Sequence, residues 1–125
     1  MKMILDANAI LRFLLNDIPD QADIVADAIQ TEASTIPEVI AEVVYVLSGV
    51  YHVDRSTISS TLQDLFNEIS IADKPVITEA LRLYAATGLD YVDCVLIARS
   101  KILGNSILSF DKKLNAELNK QQADV

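Results

Sequence analysis

Apolar positions fall along this chain in two rhythms. Short β-type runs occupy residues 2–5 (KMIL), 33–36 (ASTI), 69–72 (ISIA) and 106–110 (SILSF), and stretches of helical period fill the intervals. Ile58, Leu62, Leu65 and Phe66 recur at the spacing of one helical face, as do Val76, Ile77, Ala80, Leu81 and Tyr84. Gly88 and Gly104 stand just past the expected ends of two helices. Strands that alternate with helices need crossover connections, and crossovers make the sheet mainly parallel and cover both its faces. The fold class is therefore expected to be α/β.

That class directs attention to particular acids, because open parallel sheets bind ligands beyond the carboxyl ends of their strands. Asp6, Asp73 and Asp111 each follow a β-type run. An aspartate between strand and helix also suits an N-cap, which stabilises by about 1 kcal/mol and needs no ligand. Asp73, ahead of Lys74-Pro75, is explained by capping alone. Thr35 and Glu38 have the spacing of a capping box. Glu42 is different. It interrupts VIAEVVYVL (39–47), where a buried and unpartnered carboxylate would be costly, so a cation or a hydrogen-bond partner accounts for it better than a solvated position does. In GLDYVDCVLIARS, Asp90 suits the cap and leaves Asp93 in the first turn, a place the macrodipole also favours for an acid. Asp111 can be read as a cap or as a ligand.

Composition narrows the field. A chain of 125 residues, 51% of them hydrophobic, has the size and core material of a single domain, expected over 1–125. No apolar stretch is long enough and free enough of charge to cross a bilayer, and Asp6 follows too closely on the N-terminus for a signal peptide, so a soluble cytoplasmic protein is expected. Cys94 is the lone cysteine, which excludes a disulfide framework and a thiolate zinc site and leaves it as a small core residue. His52 reads as a loop residue, and three glycines cannot supply a Gly-rich phosphate loop. Ten basic against 18 acidic residues give a net charge of −8, which argues against a module that coats nucleic acid through lysine and arginine. An enzyme that meets phosphates through bound cations remains compatible with that charge.

Asp6, Glu42, Asp93 and Asp111 would converge at one end of the sheet if the runs before Asp6 and Asp111 were neighbouring strands. Four carboxylates suit a hard cation such as Mg²⁺ or Mn²⁺, and such a site activates water for attack on a phosphodiester.

LDANAILRFLL, IPEVIAEVVYVL, GLDYVDCVLIA and LSFDKKL, in that order, resemble the four sequence blocks of PIN-domain proteins, particularly the VapC-type toxin nucleases. The resemblance implies a three-layer α/β/α sandwich on a four- to five-stranded, mainly parallel sheet. It implies Mg²⁺- or Mn²⁺-dependent hydrolysis of RNA, by an enzyme that is often a homodimer and often restrained by a cognate antitoxin. It makes Asp6, Glu42, Asp93 and Asp111 the catalytic and metal-binding acids, with Asn8 and Ser109 as polar neighbours that shape the site. Arg12, Lys112 and Lys113 become candidates for contact with the substrate. Ala7 stands where the family commonly has a threonine, Ser109 where threonine is frequent, and the polar NKQQADV makes a last strand short or missing. An RNA-processing nuclease outside a toxin–antitoxin pair stays open, and two other classes compete. A phosphotransfer protein would need a second acid where Asn8 stands, and a non-catalytic scaffold would have no use for four mutually repelling carboxylates.

Overall fold

The computed structural model describes residues 3–123, so Lys2 of the first β-type run and Asp124 and Val125 of the polar tail lie outside the described residues. Strand β1 (Met3–Ile4) leads into helices α1 (Ala7–Leu15) and α2 (Pro19–Thr31), then β2 (Ala33–Thr35) and α3 (Pro37–Gly49). Helix α4 (Arg55–Leu65), strand β3 (Ser70–Ile71) and helices α5 (Lys74–Ala86), α6 (Tyr91–Leu103) and α7 (Lys112–Ala123) complete the order. The strands pair in parallel in the order β1-β2-β3, with Met3 opposite Ala33 and Ser34 opposite Ser70. The α/β class expected from the alternation is the one observed.

The helical periodicity translates directly into packing. Ile58, Leu62, Leu65 and Phe66 are buried, and so are Val76, Ile77, Ala80, Leu81 and Tyr84. One buried cluster runs from Leu5 to Leu118, and Cys94 lies inside it. Tyr84 and Tyr91 meet edge to face with ring centroids 5.9 Å apart, a geometry that suits the opposite charges of ring edge and face. Gly104 closes α6 with φ +75°, the left-handed conformation that glycine adopts without a Cβ clash. Gly88 follows the C-cap Thr87 of α5.

Strand number departs from expectation. Among the described residues the sheet has three strands, not four or five. Residues 106–110 adopt no regular structure, with Leu108 and Phe110 almost wholly exposed. Local bonds supply the physical reason. The Ser109 carbonyl accepts from Asn115 Nδ2 at 2.8 Å and its hydroxyl oxygen accepts from the Asp111 N–H at 3.0 Å, so side chains take backbone partners that a ladder would otherwise use. Beyond them, residues 112–123 are helical, which leaves no room there for a fifth strand. The Thr35–Glu38 capping box is also absent. Ile36 occupies the N-cap of α3 ahead of Pro37, and the buried Thr35 hydroxyl donates instead to the Leu5 carbonyl at 3.0 Å, tying β2 to the end of β1.

Candidate metal-binding site at the helix starts

Asp6 and Asp111 occupy equivalent positions, each immediately ahead of a helix. Asp6 is the N-cap of α1, with Oδ1 accepting from the Ala9 N–H at 2.8 Å, and Asp111 Oδ1 accepts from the Leu114 N–H at 2.9 Å at the start of α7. Both residues are exposed, and neither Oδ2 makes a hydrogen bond among the described residues. Asn8 is exposed in the first turn of α1, and the half-buried Ser109 braces the turn that leads to Asp111.

Asp93 sits in the first turn of α6 and is partly buried. Its carboxyl is held above the usual carboxylate range, first by loss of solvent and then by the negative charges of Asp90 and Asp111. Asp93 and Asp111 are thus brought within electrostatic reach of each other from separate helix starts. Glu42 is exposed on α3, off the buried stripe of Ile40, Val43, Val44 and Leu47. The burial expected from its apolar neighbours is therefore not observed, and no partner is needed to offset it. No three His, Cys, Asp or Glu side chains gather tightly enough to hold a metal ion among the described residues. The four acids therefore do not form one closed cluster.

The remaining candidates divide. Lys112 and Lys113 are exposed in the first turn of α7, beside Asp111. Arg12 is engaged elsewhere. Its guanidinium pairs with Asp17 at 3.0 Å and reaches the Tyr51 hydroxyl at 3.4 Å, which fixes it against the end of α1 and the loop after α3. Asp73 starts α5 as expected, yet makes no capping bond with its side chain and pairs with Arg99 at 3.2 Å.

Sequence reasoning missed Tyr45. Its hydroxyl donates to Asp90 Oδ2 at 2.9 Å, which joins α3 to the start of α6. Asp90 holds the N-cap position but makes no side-chain capping bond, so its carboxylate serves Tyr45 instead. Burial raises the Tyr45 hydroxyl above its ordinary pKa, and the bond to Asp90 and the nearby negative charges push the same way. The available signal was spacing: Tyr45 lies one helical turn beyond Glu42, and Asp90 one turn ahead of Asp93.

A family model described as the PIN domain matches residues 3–116, a span that contains all four acids. The chain belongs to the PIN-domain family. This PIN domain is similar to a protein named VapC ribonuclease from Aquifex aeolicus (strain VF5), with 30% identity over 79 residues, or 61% of the chain. The match spans 58% of that relative's length. No solved structure matches this PIN domain.

Proposed function

We propose that this PIN domain is a metal-dependent endoribonuclease that hydrolyses phosphodiester bonds in RNA, and that it is the toxin of a toxin–antitoxin pair. The observation that carries the reading is Asp93, partly buried in the first turn of α6, whose carboxyl is held above the usual range by loss of solvent and then by the negative charges of Asp90 and Asp111. A site that sets carboxylates against one another is costly unless a cation offsets them. The donor chemistry fits Mg²⁺ or Mn²⁺, which take hard oxygen ligands. Mg²⁺ in particular keeps several waters and needs only one or two carboxylates, so a closed cluster is not required. The similarity to a protein named VapC ribonuclease supports the choice of RNA.

In this reading Asp93 and Asp111 hold the cation, Asp6 reaches it through bound water, and Glu42 holds a second cation or orients the attacking water. Capping and ligation do not compete at Asp6 and Asp111, because one oxygen serves the helix and the other the ligand. Asn8 and Ser109 keep the turns around those aspartates in shape. A bound cation supplies the positive charge that favours in-line attack of water on the phosphodiester. Lys112 and Lys113 contact the substrate backbone; Arg12, already paired with Asp17, is dropped from that role. No side chain at the site is an evident nucleophile, so direct hydrolysis to 5′-phosphate and 3′-hydroxyl ends is expected. The enzyme acts in the cytoplasm as a homodimer restrained by a cognate antitoxin.

Single-stranded RNA incubated with Mg²⁺ or Mn²⁺ tests this. Cleavage should stop with EDTA and in Asp6→Asn and Asp93→Asn. Metal-dependent cutting that survives both substitutions would overturn the site, and the absence of both cutting and metal binding in a titration would leave a non-catalytic scaffold.

A further inference from the structure

We infer that Phe110, with Leu108 beside it, is a platform on which an unpaired base of the RNA stacks while its phosphate lies at Asp111. The inference rests on the ribonuclease reading above and adds to it the element that grips the strand. Phe110 is 94% exposed and Leu108 90%, the most exposed of the large hydrophobic side chains among the described residues. Neither contributes to the core, so folding does not explain them.

Their backbone is nevertheless anchored. Ser109, between them, bonds through its carbonyl to Asn115 at 2.8 Å and through its hydroxyl oxygen to the Asp111 N–H at 3.0 Å. Asp111 is tied in turn to the Leu114 N–H at 2.9 Å. Phe110 therefore projects into water from between two fixed residues, and presenting a rigid ring costs little further ordering.

The neighbours of Phe110 favour RNA over an apolar protein face. Phe110 directly precedes Asp111 in the chain, so a strand whose base meets the Phe110 ring passes beside the start of α7. Lys112 and Lys113 follow immediately, in a chain whose net charge is −8. They stand in the first turn of α7, where the macrodipole disfavours cations by about 0.3–1 kcal/mol, so helix stability does not account for them. An exposed aromatic ring next to two lysines is the combination that holds single-stranded nucleic acid, the ring taking the base and the cations the backbone. A base inside a duplex is already stacked, so the platform selects unpaired positions.

The chain contains no tryptophan, so Phe110→Trp creates a lone fluorescent reporter. Binding is measured with Mg²⁺ in the Asp6→Asn background, to limit cleavage, using labelled oligoadenylate and an abasic strand of equal length. Phe110→Ala should weaken oligoadenylate binding about five- to hundredfold, the range of one base–aromatic stack, leave the abasic strand unaffected and leave Tm unchanged. Phe110→Trp should keep the affinity, and its emission should be quenched by oligoadenylate but not by the abasic strand. Lys112→Gln with Lys113→Gln should weaken both strands alike. Oligoadenylate binding that is absent, or that Phe110→Ala leaves intact, overturns the inference. So does a loss confined to self-association in light scattering, which would assign the face to a second copy of the chain. Phe110-dependent binding by a wild-type chain that never cuts RNA would remove the ribonuclease reading and keep the platform; metal-dependent cutting indifferent to Phe110 would do the reverse.

Discussion

Whether an aspartate at a helix start is a cap or a ligand cannot be read from its own neighbours, and four of the five aspartates at helix starts among the described residues pose the problem, the fifth, Asp54, being a plain cap of α4. Asp6 and Asp111 cap with one oxygen, whereas Asp73 and Asp90 hold the capping position yet give their side chains to Arg99 and Tyr45. Position was legible in the sequence at all four; the partner was not, because it comes from an element distant in the chain. Glu42 carries the same lesson, since its apolar neighbours along the chain suggested burial and the helix turns it to solvent. Tyr45 yields a prediction at this scale. Its bond to Asp90 holds α3, which carries Glu42, against the helix start that carries Asp93. Tyr45→Phe keeps the ring and removes the bond, a net effect of about 1 kcal/mol and hence about fivefold if it acts on positioning. RNA cleavage should fall by that factor, and Asp90→Asn, which still accepts the hydroxyl proton, should retain more activity than Asp90→Ala. A Tm loss in Tyr45→Phe with unchanged kcat would instead mark the bond as purely structural.

Elements differed in how clearly the sequence announced them. Helices α4 and α5 were legible from their buried stripes, because a 3.6-residue period sustained over several turns is incompatible with the two-residue alternation of a strand. The run 106–110 was not, because a few alternating residues fit either a strand or an extended loop, and Ser109 decides for the loop by local bonds that composition does not reveal. Contacts between helices were equally hidden, and Arg55 is the clearest case. Its guanidinium donates to the Tyr84 and Leu89 carbonyls and lies 3.7 Å from the centroid of the Tyr84 ring, which clasps α4 to the end of α5 and the turn before α6. Charge-assisted bonds to carbonyls contribute about 1.5–3 kcal/mol each, so Arg55→Ala should destabilise by about 3 kcal/mol in chemical denaturation, and lysine, without the planar fork, should recover little. Glu79 supplies the pH dependence of the α5–α6 contact. Burial acts to raise its pKa, but hydrogen bonds from Arg82 at 2.8 Å and Lys101 at 3.3 Å outweigh that and lower it. A carboxylate lowered by folding adds stability above its unfolded pKa and loses it as pH falls through the folded value. Stability should therefore decline on acidification below about pH 4.5, the ordinary glutamate region, and less steeply in Glu79→Gln when melts of the two are compared.

At the scale of the molecule, a net charge of −8 sets the chain against the anionic substrate proposed for it, and the candidate site concentrates that opposition at Asp90, Asp93 and Asp111. The loss of solvent and the like charges that raise the Asp93 pKa are what a bound cation would offset, so function and stability should move in opposite directions when Asp93 is changed. In EDTA, Asp93→Asn removes a poorly solvated charge that faces two like charges, and its Tm should exceed that of the wild type. Added Mg²⁺ should then reverse the order. A ligand that binds only the folded state stabilises it by RT ln(1 + [L]/Kd), about 2.7 kcal/mol at a hundred times Kd, and this gain should appear in the wild type and be largely lost in Asp93→Asn. Sodium at matched ionic strength screens charge without ligation and should give only a small rise in both proteins. An equal Mg²⁺ response in the two proteins would mean general screening and remove Asp93 from the metal site. A selective response would join the acidic surplus, the helix-start geometry and the proposed chemistry through a single bound cation.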